Sequence, residues 1–191
     1  MPDKFLAPSL YKSGSGDVHV MVEKPFTETL EQAEALKEAA AKSKLVVQVG
    51  HIEKYNPAFI ELQKVLEGME ILALNFNRLS PFQGSNVDVD VVLDLMIHDI
   101  DAILSVVKSK VKQINASGVS VISNSPDIAN ARIEFENGCV ANLTASRISL
   151  KQMRKVRLFQ RDAYISLDLL EKEAQVVRLF DPGAPLPIAG Q

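Results

Sequence analysis

A single cysteine, Cys139, occurs among 191 residues, so neither a disulfide framework nor a thiolate zinc cluster can form within the chain. Positive charge is not in excess either, since 21 Lys and Arg face 24 Asp and Glu for a net charge of −3. Nonspecific nucleic-acid binding draws its affinity from neutralised phosphates, and a mildly acidic chain is poorly equipped for it. No apolar run is long enough to span a bilayer. The opening Met1-Pro2-Asp3-Lys4 lacks the apolar core of a signal peptide, so the cytoplasm is the expected compartment. What is present is ordinary globular composition, 47% hydrophobic and 24% charged, which argues against disorder. The length suits one domain, or one domain plus part of another.

The first half alternates strand and helix. Val18-His19-Val20-Met21-Val22 has the nearly continuous apolar pattern of a strand buried on both faces. Glu23-Lys24-Pro25 stops it, because proline cannot donate to the ladder. Thr29 followed by Gln32 fits a capping box, and residues 30–42, rich in Ala, Leu, Glu and Lys, form the expected helix. Leu45-Val46-Val47-Gln48-Val49 is a second buried strand, ended by Gly50. Strand, helix, strand over this distance is the right-handed crossover from which parallel sheets are built. One such unit cannot cover both faces of a parallel sheet, so this piece has the character of the end of a larger doubly wound domain.

Asn56-Pro57 caps and opens another helix, with Phe59, Leu62, Val65 and Leu66 facing inward and Gly68 just past its end. Leu72, Leu74 and Phe76 mark one face of a strand, and residues 91–107 follow as a long helix, apolar on nearly every side. Beyond it the pattern alternates. Ala129, Ala131, Ile133 and Phe135 face one way, whereas Asn130, Arg132, Glu134 and Glu136 face the other. An Asn137-Gly138 turn leads to Cys139, Ala141, Leu143 and Ala145, a strong hairpin signal. Strands are also expected at 156–158, 164–166 and 176–178, before a loose Pro- and Gly-rich tail from Asp181. The fold class expected is therefore α+β: an α/β remnant over residues 1–55, then a mostly antiparallel sheet over residues 56–191.

Asp90, Asp94, His98 and Asp101 lie at i, i+4, i+8 and i+11 of the long helix, forming one polar stripe among Val91, Leu93, Met96, Ile97 and Ile100. Burying charge is costly unless it is paired or used. An Asp one turn before a His can orient the imidazole and raise its basicity, as a general base near neutral pH requires. A capped helix with a solvated acidic stripe has the same residue pattern, and both readings stay open. Glu23-Lys24-Pro25 sits at the carboxyl end of a parallel strand, where open α/β sheets bind their ligands. There Lys24 offers a compact cation, and Pro25 a turn of fixed geometry; a surface turn is the alternative.

Val22-Glu23-Lys24-Pro25, Gln48-Val49-Gly50-His51, Asn56-Pro57-Ala58-Phe59 and Leu93-Asp94-Leu95-Met96-Ile97-His98-Asp99 occur in that order. The ordered set resembles the Gfo/Idh/MocA family, the glucose–fructose oxidoreductase and inositol dehydrogenase group, in its nucleotide-sugar dehydrogenase-like branch. That resemblance implies a Rossmann domain joined to an α+β substrate domain, acting with NAD or NADP on a sugar, polyol or nucleotide sugar. By the same resemblance, Lys24 is the lysine near the nicotinamide and the substrate hydroxyl, within a cofactor-contacting Glu23, Lys24 and Pro25. His98 corresponds to the catalytic histidine and Asp94 to the carboxylate that contacts or orients substrate, with Lys54 and Asn56 as further substrate contacts. Two features depart from the family pattern. The glycine-rich phosphate loop has no counterpart, since Gly14 and Gly16 precede a strand instead of following one. Lys54 stands where many relatives carry arginine.

Metal binding is not expected, because His19, His51 and His98 come from separate elements without ligand spacing. The basic residues Lys151, Arg154, Lys155, Arg157 and Arg161 fit a solvated strand rim, and Cys139 a small core position. Two functions follow: an NAD(P)-dependent oxidoreductase present as a truncated chain, or a catalytically inactive fragment kept as an oligomerisation or substrate-binding module. In either case the polar face of the sheet is expected to pair two copies into a homodimer or homotetramer.

Overall fold

The computed structural model describes residues 19–43, 46–66, 70–82, 84 and 89–178. The expectations attached to Gly14, Gly16, Val18, Leu45, Gly68 and the tail from Asp181 lie outside these residues. Two compact units divide the chain, Met1–Ile52 and Glu53–Gln191.

In the first unit, strand β1 (Val20–Val22) pairs in parallel with β2 (Val47–Val49), joined through helix α1 (Leu30–Ser43). The capping box forms as read: the Gln32 N–H donates to Thr29 Oγ1 at 3.3 Å, and Gln32 Oε1 accepts from the N–H groups of Glu28 and Thr29. His19 Nδ1 accepts the Val46 N–H at 3.0 Å, a use that belongs to the fold.

A 3₁₀ turn over Ile52–Tyr55 stands at the boundary, and helix α2 (Pro57–Leu66) follows. Asn56 caps α2, its Oδ1 accepting the Ala58 N–H at 3.1 Å. The second unit is a seven-stranded sheet in the order β4-β5-β6-β3-β7-β8-β9. Its strands are β3 (Ala73–Leu79), β4 (Val111–Val119), β5 (Ile128–Phe135), β6 (Val140–Ser146), β7 (Met153–Phe159), β8 (Ala163–Asp168) and β9 (Glu173–Arg178). Neighbours run antiparallel except β3 and β6, which are parallel. The inward residues alternate along each central strand: Leu74, Phe76 and Arg78 on β3, Ala141, Leu143 and Ala145 on β6, and Val156 and Leu158 on β7. Apart from Arg78, they share one apolar core with Val91, Met96, Ala102 and Ile103 of the long helical segment. Each large side chain buried here contributes roughly 1.5–3 kcal/mol.

The β5–β6 hairpin is closed by Glu136-Asn137-Gly138, with the Gly138 N–H on Phe135 O at 3.0 Å and the Phe135 N–H on Cys139 O at 2.9 Å. Gly138 takes φ +86°, so the turn is the three-residue type with glycine in the left-handed position. Cys139 is buried in the core, and burial pushes its thiol up to about 11.

Strand β4 goes beyond the strands expected: Ile114, Ala116 and Gly118 alternate with Asn115 and Ser117, yet all nine of its residues are exposed. Its pairing with β5 is what makes it a strand, including a register shift between Val111 and Gln113. One expectation needs correction, because the long helix is not continuous. A π-helical segment, Val92–Met96, precedes the α-helix α3 (Ile97–Val106).

Candidate active site

The π segment begins from a firm cap. Asp90 Oδ1 accepts the N–H groups of Val92 and Leu93 at 2.9 and 3.0 Å, and the Ile97 N–H reaches back five residues to Val92 O. Such a turn carries one residue more than an α turn and recurs at functional sites. The α-helical stripe Asp90, Asp94, His98 and Asp101 is therefore corrected. Asp94 lies inside the widened turn and His98 in the first turn of α3, both half-buried. One side of the helical segment faces outward, with Leu93 39% and Leu104 51% exposed.

Farther along α3, Asp101 forms an ion pair with Lys54 at 3.6 Å, linking the polar face of the helix to the 3₁₀ turn. Asn56 has both ends of its amide engaged, its Oδ1 on the Ala58 N–H and its Nδ2 donating to Leu169 O at 2.9 Å. The fully buried acid of the helix is Asp99, which the stripe passed over. Arg78 donates from Nε to both Asp99 oxygens at 3.0 and 3.1 Å and from Nη2 to Oδ1 at 2.6 Å. Its Nη2 also lies 3.5 Å from Glu53 Oε2, and Arg154 holds the other oxygen of Glu53 at 3.0 Å. Burial pushes the Asp99 carboxyl above its ordinary value, with Arg78 pulling the other way. For Arg78, burial works against the charge, but Asp99 and Glu53 outweigh it and raise the guanidinium further.

A second buried pair, also missed, secures the start of the helix. Arg147 Nε donates to Asp127 Oδ1 at 2.9 Å, its Nη1 to Val89 O at 2.6 Å and its Nη2 to Ser125 Oγ at 2.9 Å. Asp127 Oδ2 gathers the N–H groups of Val121, Ile122 and Ser123 at 2.8–3.0 Å. Burial alone would raise this carboxyl, but those backbone donors and the Ser123 hydroxyl hold it well below the usual range.

In the first unit, Glu23, Lys24 and Pro25 leave the carboxyl end of β1, and the Lys24–Pro25 peptide bond is cis. Gly50 leaves the matching end of β2, and a Cβ there would sit 2.9 Å from Glu23 Oε2, displacing that carboxylate. Three of the five basic residues are paired: Arg154 with Glu53, Lys155 with Asp168 and Arg161 with Glu70. No group of three metal-ligating side chains occurs among the described residues.

A parallel β–α–β unit and a seven-stranded, mostly antiparallel sheet packed on a helix place the described residues in the α+β class. Residues 9–51 match the model described as oxidoreductase family, NAD-binding Rossmann fold, and residues 80–165 match the GFO/IDH/MocA C-terminal domain. The chain belongs to the Gfo/Idh/MocA family. It is similar to the UDP-N-acetylglucosamine 3-dehydrogenase of Acidithiobacillus ferrooxidans, at 38% identity over 159 residues, 83% of this chain and 50% of the relative. The crystal structure of that enzyme superposes with a TM-score of 0.83 at 35% identity, covering 91% of this chain and 56% of that one. The scyllo-inositol 2-dehydrogenase (NAD(+)) of Bacillus subtilis is 26% identical over 155 residues, 73% of this chain and 45% of the relative. The chain spans about half the length of these curated relatives.

Proposed function

We propose that these residues serve an NAD(P)-dependent dehydrogenase that oxidises a hydroxyl of a nucleotide sugar, with UDP-N-acetylglucosamine the first substrate to test. The carrying observation is His98 in the first turn of a helix anchored by the Asp90 cap, the π turn and the Asp99–Arg78 pair. The similarity to a UDP-N-acetylglucosamine 3-dehydrogenase supports the choice of substrate. The first unit fits the nicotinamide end of a dinucleotide, because two parallel strands present Glu23-Lys24-Pro25 and Gly50 at their carboxyl ends, and Gly50 leaves room where a side chain would crowd Glu23. What a bound nicotinamide supplies is an acceptor for the hydride leaving the carbinol carbon.

In this reading His98 takes the hydroxyl proton as the C–H bond yields its hydride, and Asp94 orients the hydroxyl. Lys24, on a turn shaped by Glu23 and Pro25, is the cation proposed for the cofactor side of the reaction. Lys54, held by Asp101, gives substrate oxygens a cation of fixed position. Asn56 acts indirectly, by fixing the end of that turn to Leu169. The test is an assay of the whole protein with UDP-N-acetylglucosamine and either NAD or NADP. Reduced nicotinamide should appear with the nucleotide sugar; no turnover with nucleotide sugars, free sugars or inositols would refute the reading.

A second copy of the chain is the proposed occupant of the outer sheet face. Its polar side chains are already paired to one another: Asn142 with Asn75, Thr144 with Asn130, and Arg132 with Asn142. Such a flat face carries few unmet polar groups into an interface, and a two-fold contact between like faces closes on itself. Light scattering over a dilution series should give twice the 21.0 kDa of one chain. A single-chain mass at high micromolar concentration would remove the pairing.

A further inference from the structure

We propose that Arg78 is a positioning residue for His98: by pinning Asp99 it keeps the extra residue of the π segment in place and so fixes the rotation of the helix beyond it. The inference rests on the reading of His98 as general base, although the pinning itself is a property of the fold.

Upstream of the π segment the chain is anchored by Asp90, by the Val91 N–H on Pro126 O at 3.0 Å, and by Arg147 on Val89 O. Downstream, Asp99 is gripped on both oxygens by Arg78. Absorbing the extra residue into a regular α-helix, with the start held, would turn everything after it by about 100° and push it along the axis by about 1.5 Å. Asp99 would then leave the guanidinium, and His98 would point elsewhere.

Hydrophobic burial discriminates poorly against that change. Leu95, Met96, Ile97 and Ile100 surround His98 and Asp99, so a rotated helix still offers apolar side chains to the sheet. A fork closing on one carboxylate accepts a single rotation. Arg78 is itself held, in the middle strand of the sheet, 3% exposed, with Glu53 beside it and Arg154 behind Glu53. Two carboxylates and two guanidiniums make this cluster neutral. An apolar pair at 78 and 99 would pack at least as favourably, so the ion pair's distinctive contribution is direction.

The test uses the 191-residue chain with labelled histidine and amide hydrogen exchange, and involves no turnover. Arg78→Met alone strands Asp99 and should destabilise the chain. Arg78→Met with Asp99→Leu should restore the unfolding midpoint, while the His98 ring resonances move and amides 95–98 exchange at least about tenfold faster. Arg154→Met, which leaves the Arg78–Asp99 fork intact, should preserve those resonances. If the double variant does not fold, Arg78→Lys takes its place, keeping the charge but losing the fork, with the same expected signature. Wild-type His98 resonances and exchange in the folded replacement would overturn the proposal and leave the pair as a structural ion pair. A failed dehydrogenase assay with the spectroscopic changes present would sink only the catalytic reading.

Discussion

His98→Ala in the whole protein lowers kcat by about a hundred- to ten-thousandfold, the usual loss for a general base, and leaves nicotinamide affinity unchanged. The asymmetry follows from the proposed roles. His98, half-buried in the first turn of α3, is proposed to move a proton, whereas Glu23, Lys24 and Pro25, leaving β1, are proposed to meet the cofactor. Truncating a half-buried imidazole removes little packing, so the unfolding midpoint should move far less than the rate. Stopped-flow turnover beside equilibrium titration with the reduced cofactor separates the two quantities. Equal losses in kcat and in cofactor affinity would place His98 in binding instead of proton transfer, and wild-type turnover would remove it from the chemistry.

Local chemistry was legible wherever one residue type determines one backbone outcome. Thr29 and Gln32 closed their capping box, Asn56 capped α2, and Gly138 took the left-handed turn position. The alternation along β5 and β6 placed Ala129, Ile133, Ala141 and Leu143 inward because one face of that sheet is buried. Strand β4 is an edge strand exposed on every residue, and its alternation runs over only Ile114 to Gly118, a weak signal beside β5 and β6. The π segment escaped because a helical pattern in sequence says nothing about one extra residue in a turn. The two buried arginines are marked in the sequence. Arg78 continues the inward series Leu74, Phe76, and Arg147 continues Ala141, Leu143, Ala145, each at a spacing of two. An arginine at an inward position requires a buried acid, and Asp99 and Asp127 are those acids. Both pairs bear on the helix of Asp94 and His98, and the pattern of that helix alone does not show what holds it.

Arg147→Met lowers stability by about 3–5 kcal/mol, the cost of breaking a buried pair from one side. The guanidinium spans three parts of the second unit at once: Asp127 at the start of β5, Val89 before the π segment, and Ser125 in the intervening loop. Its removal leaves Asp127 completely buried with backbone donors and the Ser123 hydroxyl, so a negative charge stays inside without its countercharge. Arg154→Met offers the contrast. Its own side chain is 35% exposed, and its buried partner Glu53 keeps Arg78 at 3.5 Å, so its loss should cost less, about 1–3 kcal/mol. Acid adds an independent check on the same carboxylate. The folded Asp127 is held below its unfolded value of about 3.9, so its stabilisation is complete above that pH and is lost as pH falls towards the folded value. Urea midpoints for the wild type should therefore show no Asp127 contribution to pH dependence between about pH 5 and 8, and should drop below about pH 4. Asp127→Asn should flatten that acid limb. An Arg147→Met midpoint equal to that of Arg154→Met would show that the loop and helix start are held by something other than this arginine.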